Sequence, residues 1–169
     1  LNMAPYIGVL SLSQNSISSV GAAQLCEALV NCKYITDVNL SCNFLCDLCD
    51  VKLATALNDL TELRVLNLAH NNFTHQSMRA FTLRLATHRS KLTSVNFSYN
   101  LLGDGVAALV ALLCENQPSH LQSFDISHCG LSDAGVVQIS AAIMKCKTLE
   151  NAIIRSTFVG ADAMQQLIK

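Results

Sequence analysis

Charge is scarce in this chain and nearly balanced: 14% of its 169 residues are Asp, Glu, Lys or Arg, and the formal net charge is −1. Without a basic stripe or basic residues interleaved with aromatics, no nucleic-acid partner is expected. Long apolar runs are missing as well. None reaches the roughly 18 residues of a membrane span, so no membrane association is expected. No basic segment leading into an apolar stretch marks a targeting signal, and the first residue is Leu1. The motifs G-x-x-x-x-G-K-[ST], G-x-S-x-G and H-E-x-x-H are absent, which leaves no phosphate cradle and no expected cofactor. Only 5% of residues are aromatic and none is Trp, so the core has to be aliphatic, built from the 51% that are apolar.

Eight cysteines stand out against that background. Their spacing is not the framework of a small secreted scaffold, and a chain of this length folds without staples, so reduced thiols in an intracellular setting are expected. Two sequons, at Asn72 and Asn96, pull the other way, but such tripeptides arise by chance.

Self-similarity organises the rest. "ITDVNLSCNFL" from Ile35 realigns with "LRVLNLAHNNF" from Leu63 and "LTSVNFSYNLL" from Leu92, and related segments begin at Ile7, Leu121 and Leu149. The start-to-start spacings are 28, 28, 29, 29 and 28 residues. Each unit reads L-x-x-L-x-L-x-x-N-x-L, and its Asn slot holds Asn15, Asn43, Asn71, Asn100, Cys129 and Thr157 in turn. Helical spacing follows each slot, as in Leu53 and Leu57, Phe81 and Leu85, or Gly135, Ile139 and Ile143. In the fourth unit the pattern arrives one residue early, at Gly105, Leu109 and Leu113. Asp104 and Asp133 suit helix N-terminal caps.

This alternation of short strand and helix resembles the ribonuclease-inhibitor class of leucine-rich repeats over nearly the whole chain. The stretch "NLLGDG…LCENQPSHLQSFDISHCGLSDAG" is also similar to the paired Asn-type and Cys-type repeats of ribonuclease inhibitor and of NOD-like receptor repeat domains. The resemblance implies a right-handed α/β solenoid with a parallel β-sheet on the concave face and α-helices on the convex face. Strands stack about 4.8 Å apart while helices need about 10 Å, so such an array has to curve. The resemblance further implies a non-enzymatic scaffold that binds a protein partner through the concave face. Related readings are a sensor or autoinhibitory domain of the NOD-like type, a regulator like the Ran GTPase-activating proteins, and an actin regulator like the tropomodulins. Leu1 overlays the last core residue of a helix, and Lys169 falls before an expected Leu, so the array is read as one domain over 1–169 within a longer array or multidomain protein.

Two clusters resemble chemical sites. "SFDISHCGLSDAG" gathers Asp125, His128 and Cys129, but the register turns Cys129 inward and the other two outward, which argues against a thiol nucleophile with its base. "SCNFLCDLCD" offers Cys42, Cys46 and Cys49, yet these fall on the concave side, in the loop and on the helix, and one C-x-x-C pair does not complete a zinc site. No catalytic or metal residues are therefore assigned.

The concave face supplies the candidate partner-binding residues: Asp37, Asn39, Asn67, His70, Asn96, Tyr99, Asp125, His128 and Arg155. Tyr99, flanked by His70 and His128, is the expected anchor. A second candidate is a basic patch of Arg79, Arg84, Arg89 and Lys91 in the third unit. It contrasts with the segment before Leu63, where six acids outnumber two bases. Solvated helix faces are the plainer explanation for it, and partner steering the alternative.

Overall fold

The computed structural model of the chain describes residues 6–87, 90–116 and 119–155. Among these, three-residue strands alternate with helices: β1 (Val9–Ser11), α1 (Ser19–Leu29), β2 (Asp37–Asn39), α2 (Asp50–Asn58), β3 (Val65–Asn67) and α3 (Met78–Leu85). Then follow β4 (Ser94–Asn96), α4 (Gly105–Glu115), β5 (Ser123–Asp125), α5 (Asp133–Lys145) and β6 (Asn151–Ile153). The strands lie side by side in chain order as one parallel sheet. Their register joins equivalent slots of successive repeats, so Leu10, Val38, Leu66, Val95, Phe124 and Ala152 form one row. The sequence period thus becomes one strand–helix turn of an α/β solenoid.

The middle residue of each strand from β1 to β5 is buried and its two neighbours are not, the period-2 alternation of a sheet with one covered face. Helices cover that face. Between them lies an aliphatic core stiffened by Phe73, Phe81 and Phe97, which meet edge-on with ring centroids 5.2 and 5.7 Å apart. The most deeply buried helix is α4, where Val106, Ala107, Leu109, Val110, Ala111, Leu113 and Cys114 are all covered.

The helix starts differ for a local reason. Single 3-10 turns, Asp47–Cys49 and His75–Ser77, lead into α2 and α3. In the fourth repeat Gly103 takes φ +57 and α4 begins two residues later at Gly105 without such a turn, which accounts for the early arrival of its apolar pattern. A Cβ on Gly105 would lie 2.7 Å from Met78 Cγ, so the small residue permits close approach of α3.

One expected cap works otherwise. Asp104 occupies the cap position of α4 but makes no cap bond there. Its carboxylate instead accepts from Ser132 N at 2.9 Å and Ser132 Oγ at 2.5 Å, tying the fourth repeat to the fifth. Asp47 does the same one step earlier, accepting from Thr74 N at 2.9 Å, from Thr74 Oγ1 at 2.5 Å and from Ser77 Oγ. Asp133 is the first residue of α5, after the Ser132 cap position, where its charge suits the helix dipole.

Candidate functional site

Where each strand ends, the chain has to turn toward its helix, and the backbone groups exposed by that turn need partners. The Asn slot supplies them. Asn71 Nδ2 donates to the carbonyls of Leu40, Leu68 and Ala69 at 3.0–3.2 Å, and its Oδ1 accepts from Leu45 N at 3.1 Å. Asn43 and Asn100 repeat the pattern across their own repeat boundaries. At the fifth unit the Cys129 thiol donates to Phe97 O at 3.3 Å and is fully buried. Burial pushes that thiol up to about 12, against a backbone hydrogen bond from Asn100. Cys129 is therefore a turn residue, facing away from Asp125 and His128.

The residue just before each slot carries the more informative geometry. Gln14, Cys42, His70, Tyr99 and His128 all adopt left-handed backbone with φ between 52 and 60. In this region a side chain costs roughly 1–2 kcal/mol, and glycine is the ordinary occupant. Instead the solenoid presents three rings here. His70 stacks on Tyr99 with centroids 3.9 Å apart and planes 13° apart, and Tyr99 stacks on His128 at 4.1 Å and 17°. The column runs along the C-terminal edge of the sheet, with Tyr99 at its centre and 45% exposed.

Beside this column lies a second row, the residue after each slot. Phe44 and Leu101 occupy it, 60% and 72% exposed, where other repeats carry Ser16, Asn72 and Gly130. A depression of about 480 Å³ opens between the rows, lined by Asn71, Asn72, Phe73, Thr74, Tyr99, Asn100, Leu101 and His128. Sequence reasoning had found Tyr99 and the histidines but not Leu101 or Phe44. Their signal was an apolar residue in a loop slot filled elsewhere by small or polar types.

The remaining concave residues divide in a way the sequence did not show. Asn39, Asn67, Asn96 and Asp125 share one row of the sheet, and each accepts through Oδ1 from the backbone N–H two residues on, at 2.9–3.1 Å. They close turns as well as facing outward. Asp37, at the start of β2, accepts from the neighbouring Thr36 hydroxyl at 2.6 Å. Arg155 is exposed and equivalent in register to Ser127: His128 N bonds Arg155 O as Tyr99 N bonds Ser127 O. It thus continues the row of Ser127, outside the ring column.

Among the described residues the basic side chains are divided. Arg79 and Arg84 are both exposed on α3, but five residues apart they point about 140° from each other around the helix. Lys91 is paired with Glu62 at 2.7 Å, and Arg89 lies outside the described residues. Arg84 and Lys91 instead border a depression of about 630 Å³ at the opposite, helix-to-strand loops, together with Lys33, His120 and Asp59. Among the described residues no three His, Cys, Asp or Glu side chains are grouped to hold a metal ion. Cys42 is exposed, Cys46 half-buried and Cys49 buried.

This repeated turn, sheet and helix define a leucine-rich-repeat protein, and family comparison agrees. Two leucine-rich-repeat family models match the chain, at residues 62–82 and 117–140. The chain is a leucine-rich-repeat array with similarity to the repeat domains of NOD-like receptors. It is 33% identical over 107 residues to NACHT, LRR and PYD domains-containing protein 14 of Mus musculus, covering 63% of this chain and 11% of that protein. It is 26% identical over 159 residues to Protein NLRC5 of Ictalurus punctatus, covering 92% of this chain and 9% of that one. Tonsoku-like protein of Danio rerio is 31% identical over 121 residues, covering 69% of this chain and 8% of that protein. The chain spans about a tenth of the length of these relatives.

Proposed function

We propose that this array is a non-enzymatic, intracellular binding segment that engages a protein partner along the C-terminal edge of its concave sheet. The carrying observation is the His70–Tyr99–His128 stack, held in left-handed backbone at a position where glycine would be less strained. A preformed ring column has lost its rotamer freedom already, so contact with it sacrifices little further entropy. Leu101 and Phe44 add exposed apolar surface beside it, and the depression between gives a partner side chain somewhere to go.

A charge placed in that depression distinguishes this surface from the helical side. Leu101→Glu should reduce capture of the partner from lysate at least about tenfold, equivalent to roughly 1.4 kcal/mol. Leu48→Glu, at a residue 90% exposed in the turn before α2, should leave capture unchanged. Equal capture by both variants would remove the edge from consideration.

Similarity to two NOD-like receptor proteins favours a second reading, in which the array is the sensor or autoinhibitory portion of such a receptor. Its test is the full-length transcript: a nucleotide-binding domain encoded ahead of the repeats supports it, and an array without one counts against it.

A further inference from the structure

The C-x-x-C pair of the second repeat is left unused by the binding surface. Cys46 and Cys49 are the two ends of the 3-10 turn that leads into α2, with Cys49 N donating to Cys46 O at 3.1 Å. Such an i to i+3 turn holds its ends within about 7 Å. Disulfides bridge Cα atoms about 4.4–6.8 Å apart. The side chains share one small neighbourhood: the Ser19 hydroxyl lies 3.0 Å from Cys46 Sγ, and the Cys49 thiol donates to the Cys46 carbonyl at 3.2 Å. Both cysteines are free thiols in this structure.

We propose that Cys46 and Cys49 form a reversible dithiol–disulfide site whose co-substrate is a small-molecule disulfide of the glutathione class. Exposure assigns the roles. Cys46 is half-buried and within reach of a small reagent, whereas Cys49 is buried and closed to one. The Cys46 thiolate attacks one sulfur of the co-substrate, its S–S bond breaks, and the first thiolate leaves to take a proton from water. Cys49 then gives up its proton to solvent and attacks the Cys46 sulfur, expelling the second thiolate. Two protein thiols are oxidised by two electrons and one small disulfide is reduced to two thiols.

The surroundings set the direction of exchange. Burial raises the Cys49 thiol above its ordinary value, and the Asp50 carboxylate raises it further against the hydrogen bonds that oppose it. A dithiol whose buried partner disfavours its thiolate is the more reducing one, so the bridged form is favoured at equilibrium although it is reached slowly.

The test uses the whole chain carrying Cys42→Ser, which removes the exposed competing thiol. Cleavage after Lys33 and Lys52 then gives a peptide, 34–52, holding only these two cysteines. After incubation with excess oxidised glutathione, the expected product is this peptide short of two hydrogens, carrying no glutathione. Adding Cys49→Ser, or Cys49→Ala should serine not be tolerated in the core, should halt the reaction at a glutathione adduct on Cys46. Cys46→Ser should slow reaction in this peptide at least about tenfold. The proposal is overturned if the Cys42→Ser chain stops at the same adduct as the Cys49 variants, if Cys46 stays unmodified, or if Cys49 bridges to Cys26 instead.

Discussion

Left-handed backbone at Cys42, His70, Tyr99 and His128 separates cost from use, residue by residue. Cys42 shares the strain but stacks on no ring, so Cys42→Gly should relieve it. After allowing for the greater freedom of glycine in the unfolded chain, the gain is about 0.5–1 kcal/mol by denaturant titration. Tyr99→Gly relieves the same strain but loses two ring stacks, each worth about 0.5–1.5 kcal/mol, so it should be neutral or destabilising. Loss of stability in Cys42→Gly would show that the column is not strained. Cys129 yields a different residue-level expectation. Its thiol is buried, hydrogen-bonded to Phe97 O and pushed up to about 12, so it should alkylate far more slowly than the exposed Cys42 in the folded protein. Labelling of Cys129 at the pace of Cys42 would contradict its place in the core.

Elements here are held to one another by side chains that reach across repeat boundaries. Asn71 satisfies four backbone groups, two of them in the preceding repeat, while Asn15 donates to Ser13 O from an exposed position. Asn71→Ala should therefore cost about 3 kcal/mol or more, and Asn15→Ala under about 1 kcal/mol, in equilibrium unfolding. Comparable losses would mean that the slot contributes locally, without coupling repeats. Asp47 performs the same service at the helix starts. Burial pushes its carboxyl up, but bonds from Ser77 and Thr74 outweigh that and hold it below the usual range. A depressed carboxylate stabilises the fold above its unfolded value of about 3.9 and loses that contribution as pH falls through the folded value. Asp47→Asn should thus be less stable than the parent at neutral pH, with the gap closing below about pH 4. A gap independent of pH would show that the charge is not what Ser77 and Thr74 recognise.

Across the whole molecule, the period of 28 or 29 residues made the fold legible, because a repeat fixes strand register, helix placement and buried slots together. The register also placed Cys129 in the core, because it falls in the inward turn slot that four other repeats fill with Asn. Other features depend on contacts between repeats that no single repeat displays. Asp104 read as the cap of its own helix, yet it serves Ser132 one repeat on. Asn39, Asn67 and Asn96 read as surface contacts, yet each closes a turn through its amide oxygen. Arg79, Arg84, Arg89 and Lys91 read as one group by proximity in sequence, but helix geometry and the Glu62 pair divide the described ones.

Protein binding at the ring column is tested most directly by titrating the captured partner against the parent chain and Tyr99→Ala, with thermal melting followed in parallel. The expected result, measured well below the melting midpoint, is affinity weakened at least about tenfold, as for removal of a central aromatic anchor, with a midpoint lowered by about 2–12 °C for the loss of two ring stacks. Unchanged affinity in a folded Tyr99→Ala chain would contradict the proposal and place the contact on another face of the solenoid.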